Sequence, residues 1–255
     1  MKNNFLKNLS SDFERGFSSF GILISMFGTI LVIILGAWDK LAITDEMRSA
    51  GIAAGYHFSM VLESLKSEAA NIAIPILSTL PLSGMFLEEY RSRFNKICLI
   101  RTSRKNYVIS KVIATGICGG AGILFGLIII TGIFALIYSP MELKAAEETG
   151  KLFIQFVQSA FLSSMLGILF ASLGALLGTA QMSTYMAYGG PFLINYLLII
   201  LITRYFPNIY VLNPKEWMLH EHYFSDNPTV IFLLLLELCM IIMLLEGIAI
   251  WKKIE

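Results

Sequence analysis

The sequence predicts an all-α membrane protein, and three observations support that prediction. Of its 255 residues, 56% are hydrophobic and 15% are charged, whereas soluble domains carry about 25% charged residues. The mean hydropathy is +0.71. Six apolar runs each reach the roughly 20 helical residues that a hydrocarbon core of about 30 Å requires. Over single runs of this length only helices satisfy their own backbone polar groups, and the runs leave no room for a soluble catalytic domain.

These runs predict six transmembrane helices in one domain, residues 1–255. The predicted spans lie near 17–38, 69–87, 107–138, 154–179, 184–206 and 229–250. Twelve of the nineteen Lys and Arg residues lie at the two termini and between the second and third spans, all on one side of the membrane. The other seven are spread over the longer loops of the opposite side. Because cytoplasmic loops carry the excess of Lys and Arg, we expect both termini to be cytoplasmic.

Residues 1–16 predict an amphipathic helix ahead of the first span. Large apolar side chains recur every four residues, and charges lie between them: Phe5, Leu9, Phe13 and Phe17 against Lys7, Asp12 and Arg15. Residues four apart share one face of a helix. A helix with one apolar and one charged face lies in the membrane interface. We therefore expect this segment to rest on the cytoplasmic surface of the bilayer.

The densest positive charge lies between the second and third predicted spans. Residues 86–111 hold seven of the nineteen Lys and Arg residues. Apolar side chains at spacings of three and four predict a single helical stripe: Phe86, Tyr90, Phe94, Ile97 and Cys98. We therefore expect residues 88–106 to form a cytoplasmic loop around a short amphipathic helix. Two interpretations stay open, since such a loop either rests on anionic lipid or is held by a soluble partner.

Several features of this segment resemble the permeases of ABC exporters of the second type. They are the acidic pair Glu88–Glu89 after a proline-containing span, the pair Ser103–Arg104, then Tyr107, and Lys111 at the start of the next span. The N-terminal stretch FLKNLSSDFERGF is similar to the interfacial helix that opens many of these permeases. The resemblance implies a small six-span permease, with the basic loop as a coupling helix that inserts into a groove of a separate ATPase subunit.

The same resemblance implies which residues couple and which partners are present. The implied coupling residues are Glu88, Glu89, Tyr90, Arg91, Arg93, Phe94, Ile97, Arg101 and Arg104. ATP and Mg²⁺ are expected on the ATPase, and no cofactor on this chain, which has no G-x-x-x-x-G-K-[ST] phosphate loop. The implied assembly is a homodimer of permeases in a bacterial cell membrane, with no nucleic acid. Its implied substrate is a peptide, a bacteriocin or a drug-like amphipathic molecule, and a role in immunity to such a substrate stays open.

Polar residues in spans two and five predict a substrate pathway. Proline kinks a helix by removing a backbone donor, so Pro75 and Pro81 predict a hinge in span two. Span five is interrupted at 189–191, and interrupted polar helices often line a pathway. The expected lining residues are Ser78, Thr79, Ser83, Tyr188, Asn195 and Tyr196. We expect the shared face of Tyr188 and Asn195 to meet its mate across a two-fold axis.

Ladders of small residues predict close packing of span three on span four. Those of span three are Gly116, Gly120, Gly122 and Gly126, and those of span four are Ser163, Gly167, Ala171, Gly174 and Gly178. Small side chains let helix backbones approach closely, which is how helices associate inside a bilayer.

Two carboxyl groups, Glu237 and Glu246, fall within the sixth span. An ionised and unpaired carboxyl costs several kcal/mol at membrane depth. We expect Arg204 to pair with Glu237 and Arg15 to reach Glu246. A structural and a pathway role for Glu237 both stay open.

Other functions and sites were weighed against the permease interpretation. The run from Glu88 to Arg93 also fits Glu-Glu-x-x-x-Arg, which resembles the first motif of intramembrane CAAX-type glutamic proteases, but the later Phe-x-x-x-His is missing. A secondary transporter is the other alternative. No metal site is expected: His57 stands alone, and His220 and His222 are too close for the H-E-x-x-H geometry. The three cysteines are expected to be apolar fillers, and Trp217 and Tyr223 interfacial anchors.

Overall fold

The chain folds into a bundle of α-helices. The computed structural model describes residues 2–41, 52–143, 145–206, 208–219 and 228–254. The helices are α1 (Lys2–Phe17), α2 (Phe20–Gly36), α3 (Tyr56–Leu65), α4 (Glu68–Leu77), α5 (Met85–Arg91), α6 (Phe94–Arg101), α7 (Arg104–Tyr138), α8 (Ala146–Gln181), α9 (Thr184–Tyr205), α10 (Pro214–Leu219) and α11 (Pro228–Ile254). Short 3₁₀ turns lie at Trp38–Lys40, Ser139–Met141 and Tyr210–Leu212. Within these ranges β pairing is limited to one isolated bridge, between Ile52 and Glu142.

Four segments are long and apolar enough to cross a membrane: Arg104–Met141, Glu147–Gln181, Thr184–Tyr205 and Thr229–Ile254. They coincide with the last four predicted spans. The interruption predicted at 189–191 is wrong, because Thr184–Tyr205 is one continuous helix with Pro191 inside it. The number becomes five if α1 and α2, which meet at a bend of 51°, are counted as one broken span. An all-α membrane protein therefore fits the described residues, whereas the count of six spans is not confirmed.

The predicted second span, 69–87, is not one continuous helix. Helix α4 ends at Leu77 and α5 begins at Met85, and turns connect them. Pro75 lies inside α4 and Pro81 lies within the turns. Because proline removes a backbone donor and clashes with the preceding turn, two prolines six residues apart stop the helix here instead of only bending it.

Side-chain hydroxyl groups donate hydrogen bonds to backbone carbonyls around the interruption of the helix. Ser78 Oγ donates to the carbonyl of Pro75 at 3.3 Å, and Thr79 Oγ1 donates to that of Ile76 at 2.7 Å. Ser83 Oγ crosses to the carbonyl of Ala171 on α8 at 3.0 Å. These three side chains are buried. Irregular backbone at membrane depth is tolerated when protein surrounds it, and this segment meets that condition.

Close approach of glycine backbones fixes the centre of the bundle. A Cβ on Gly167 of α8 would lie 3.0 Å from the Cα of Gly120 on α7, which confirms the predicted packing of span three on span four. The other ladders pack elsewhere. Gly126 faces Thr29 of α2, and Gly178 faces Ala187 of α9. All of these ladders were predicted to pack span three on span four, but α7 also packs on α2 and α8 also packs on α9 through them.

At the end of the bundle opposite the basic segment, one carboxylate joins two separate segments of the chain. Glu142 accepts the backbone N–H of Gly55 and of His57, each at 3.0 Å, and its Oε1 lies 2.6 Å from His57 Nδ1. His57, which stands alone in the sequence, is thus buried and paired with a carboxylate. Trp217, predicted as an interfacial anchor, is instead buried, and its indole N–H donates to the carbonyl of Val211 at 2.7 Å. Tyr223, His220 and His222 lie outside the described residues.

Candidate coupling site

The basic segment forms two short helices, α5 and α6, at the end of the bundle where α7 begins. The sequence predicted one apolar stripe through both, and that prediction is wrong. Arg93 has φ 59°, in the left-handed region, so the chain turns sharply before α6. The hydroxyl of Ser92 donates a hydrogen bond of 2.8 Å to the carbonyl of Glu88, one of the acceptors in the last turn of α5. The two apolar faces therefore point in different directions.

The implied coupling residues separate into an outer and an inner group. The outer group is exposed: Glu88, Tyr90, Arg91, Arg93, Phe94, Ile97, Arg101 and Arg104. Ile100, which the sequence analysis did not single out, is the most exposed of the apolar residues on α6 at 85%. Together Phe94, Ile97 and Ile100 form an exposed apolar face on an eight-residue helix. We call it the α6 face.

The inner member of the implied set is Glu89, which is 2% exposed. It lies in a cluster of four ionisable side chains from three helices, with Asp12 and Arg15 on α1 and Lys111 on α7. Lys111 Nζ donates to Asp12 Oδ1 and to Glu89 Oε1, both at 2.6 Å. Arg15 also donates to Glu89 Oε1. We call this group the ionic cluster.

Two neutral groups complete the ionic cluster. The hydroxyl of Tyr107 donates to Glu89 Oε2 at 2.6 Å, and that of Ser110 donates to Asp12 Oδ2 at 2.5 Å. Two carboxylates thus face two cations, so the charges balance. Buried charges are tolerated only when paired and hydrogen-bonded, and this arrangement meets both conditions.

The ionic cluster joins elements that are far apart in sequence. It ties the N-terminal helix α1 to α5 and to the first turns of α7. A cavity of about 280 Å³ lies beside it, and Phe94 and Cys98 of α6 form part of the cavity wall. Burial raises the pKa of the Cys98 thiol, and the negative charge of Glu89 raises it further. The inner side of α6 therefore contacts the same polar site that anchors α1.

A second attachment joins α5 to the turn between α8 and α9. Arg91 donates to Thr184 Oγ1 at 2.8 Å and to the carbonyl of Met182 at 3.1 Å. Met182 has φ 54° and ends α8. Helix α5 is thus fixed on one side by the ionic cluster and on the other by Arg91.

The predicted pathway residues lie at contacts within the chain. Thr79 Oγ1 reaches the carbonyl of Tyr188 at 3.3 Å, and Asn195 Nδ2 reaches the carbonyl of Asn71 on α4 at 3.3 Å. Asn195 is buried, while Tyr196 is exposed and stacks on Phe192. The shared face of Tyr188 and Asn195 therefore packs on α4 and the turns after it. We expected this face to point outward toward a second copy, and it does not.

The two glutamates of the last helix have different surroundings from those expected. Glu237 is exposed on α11, and no ion pair joins it to Arg204 among the described residues. Glu246 is buried, and in the described part of the chain its Oε2 has no hydrogen-bond partner. Arg15 does not reach it, because the guanidinium is held by Glu89.

Metal and protease chemistry were checked against the same geometry. The described ranges contain no group of three or more His, Cys, Asp or Glu side chains placed to hold a metal ion. Both oxygens of Glu89 accept hydrogen bonds from protein donors. His57 lies at the far end of α7, paired with Glu142. Glu88, the other member of the acidic pair, is exposed, and His220 and His222 lie outside the described residues.

Comparisons with known proteins complete the description of the site. No protein-family model matches the chain, and no curated protein matches it. The α6 face and the ionic cluster are therefore the features of the molecule that point to a function.

Proposed function

We propose that this chain is the permease subunit of an ATP-driven ABC exporter of the second type, and that α6 docks to a separate ATPase subunit. The observation that supports the proposal best is the α6 face. Three large apolar side chains are exposed there, outside the long apolar helices, and exposed arginines surround them. An apolar centre with a polar rim is the usual composition of a protein interface, and arginine is enriched in such interfaces.

The attachment of α5, which leads into α6, supports a dock over a passive loop. A loop that only orients the protein has no need of rigid links to the bundle. Here the segment is joined to α1 and α7 through the ionic cluster and to α9 through Arg91. Buried, fully paired polar networks resist local rearrangement. In this proposal a partner that displaces α6 moves α5, and through α5 it acts on these three helices.

The route into the bundle continues through the turns between α4 and α5. A Cβ on Gly84, just before α5, would lie 2.5 Å from the hydroxyl of Tyr188. Thr79 contacts the backbone of the same tyrosine. A movement of α5 therefore acts directly on α9, the helix that carries Tyr188, Asn195 and Tyr196. In this proposal the substrate pathway opens along α9 when α4 and α9 separate.

The remaining features of the proposal follow from the exporter architecture. Both termini face the cytoplasm, where ATP and Mg²⁺ bind to the ATPase and not to this chain. A second permease copy forms a homodimer with this chain. The substrate is an amphipathic peptide, bacteriocin or drug-like molecule, for which Tyr196 and Asn195 offer apolar and polar contacts on adjacent positions.

The docking variant is Phe94→Asp together with Ile97→Asp. It places two charges in the centre of the α6 face, where charged residues are depleted in interfaces. We expect the tagged variant to fold and to lose the ATPase that accompanies the wild-type chain on purification from membranes. Both side chains are exposed. Phe94 also lines the cavity beside the ionic cluster, so Ile97→Asp alone is tested in parallel and should also lose the ATPase.

The matched control is Met141→Asp together with Leu143→Asp. These apolar residues are exposed to a similar degree, and they lie at the opposite end of α7. We expect this variant to retain the ATPase. If the docking variant keeps its ATPase, or if both variants lose it, α6 is not the dock. Transport by the wild-type chain without any ATPase would favour the secondary-transporter alternative instead.

A further inference from the structure

A long apolar groove runs between α7 and α11 on the outside of the bundle. It has a volume of about 720 Å³, within the range of roughly 300–1,000 Å³ typical of small-molecule sites. Val108 and Val112 of α7 form one wall, and Met243 of α11 lines the other. Gly247 forms part of the floor, and a Cβ there would lie 3.6 Å from Val108 and 3.8 Å from Val112. Because glycine has no side chain, Gly247 leaves the groove open.

The groove has one charged end. Lys105 and Lys252 line it at the start of α7 and near the end of α11, and both are exposed. From Lys105 the lining extends along α7 to Ile113, about 12 Å at 1.5 Å per residue. On α11 it extends from Lys252 back to Met240, about 18 Å by the same measure. These lengths bracket half the thickness of a hydrocarbon core, about 15 Å.

We propose that this groove binds one anionic phospholipid. One of its acyl chains lies against Val108, Val112 and Met243, and the phosphate headgroup lies between Lys105 and Lys252. Charge complementarity selects this occupant. The apolar groove is about as deep as one leaflet, and it ends at two cations at the level of the lipid headgroups. The inference requires only that α7 and α11 cross a bilayer, and it does not depend on transport or on an ATPase.

Two carboxyl groups of α11 have to be considered, and neither opposes the headgroup. Glu246, next to Gly247, is buried and does not line the groove. Glu237 precedes Lys252 by fifteen residues on α11, which places it about 22 Å away along the helix axis. It lies beyond Met240, the deep end of the groove. Its charge is therefore remote from the site at which a phosphate is bound.

The test measures lipid binding to the purified full chain by native mass spectrometry. Phosphatidylglycerol and phosphatidylcholine with identical acyl chains are titrated separately. We expect tighter binding of phosphatidylglycerol to the wild-type chain. Lys105→Gln and Lys252→Gln should each weaken that binding about fivefold, since a lysine near an anionic surface contributes about 1 kcal/mol. Binding of phosphatidylcholine should be unchanged.

Each variant has a control in the chain. Lys253→Gln removes an adjacent charge that does not line the groove, and it should leave the affinity within about twofold, as expected for a change outside the contact. Gly247→Leu should fill the groove and abolish saturable binding of both lipids. Gly132→Leu, at a glycine of α7 with open space around it, should not.

Three results would overturn the proposal. The first is equal binding of the two lipids by the wild-type chain, and the second is an equal effect of Lys253→Gln and Lys252→Gln. The third is a dimer without bound lipid that Gly247→Leu dissociates, which would show that a second copy fills the groove. Lys105 and Lys252 are exposed and Lys253 is half-buried, so the lysine variants leave the bundle core unchanged and give a result even if Gly247→Leu does not fold.

Discussion

Replacing Lys111 by Met removes the central cation of the ionic cluster. The Lys111 side chain is 4% exposed, and those of its partners Asp12 and Glu89 are 10% and 2% exposed. Both contacts are charge-assisted hydrogen bonds of 2.6 Å. Breaking a buried ion pair by removing one partner costs about 3–5 kcal/mol, because the remaining charge stays buried. We expect the free energy of unfolding to fall by about this amount.

The peripheral cation of the same cluster gives a graded comparison. The Arg15 side chain is 45% exposed, although it also donates to Glu89. Solvent screens such a pair, so Arg15→Gln should cost less than about 1 kcal/mol. Lys105→Met changes an exposed lysine at the start of the same helix, and its effect should lie within about 0.5 kcal/mol of zero. Unfolding is followed by helical circular dichroism in detergent mixed with increasing denaturant.

A double variant tests whether the effect is electrostatic. Glu89→Gln with Lys111→Met removes one charge of each sign and leaves Asp12 to face Arg15. The double variant should be more stable than the sum of the single changes predicts, by at least about 1 kcal/mol, as coupled residues in one network are. If Lys111→Met costs under about 1 kcal/mol, or if the two changes are additive, the cluster does not carry the stability assigned to it.

Two further predictions concern the membrane-embedded part of the bundle. Gly167→Leu should abolish a monodisperse peak in size-exclusion chromatography, because its Cβ would meet the backbone of Gly120 at 3.0 Å, whereas Gly150→Leu on the same helix has open space and should not. Glu237→Gln should keep transport and assembly intact, since the exposed carboxyl has no ion-pair partner among the described residues to relay charge; loss of transport at normal expression would instead indicate proton coupling.

The long helices were predictable from the sequence, and their connections were not. Apolar runs over 107–138, 154–179, 184–206 and 229–250 correspond to α7, α8, α9 and α11 within a few residues at most ends, because length and hydropathy act along the chain itself. The break at Arg93 is not visible in the length or hydropathy of the apolar runs. The apolar spacing continues through it, and only the backbone angle shows that α5 and α6 are separate.

The sequence also did not reveal which residue of the acidic pair is buried. Glu88 and Glu89 are adjacent and chemically alike, yet one is exposed and the other is buried among three donors. Which of them is buried depends on where α1 and α7 pass. One signal was available: Lys111 lies in an apolar run, and a cation there requires a counter-ion. Its partners come from residues 22 and 99 positions away, which spacing alone does not identify.

The most direct test of the permease proposal is a site-specific cross-link from the α6 face. A photo-reactive amino acid at Ile100, the most exposed apolar residue of α6, is activated in the membranes of the native host. We predict an adduct with a protein that carries the G-x-x-x-x-G-K-[ST] phosphate loop, and no such adduct from the same probe at Leu143 on the opposite end. Cross-links from Ile100 to lipid alone, or only to this chain, would contradict the proposal that α6 docks to an ATPase.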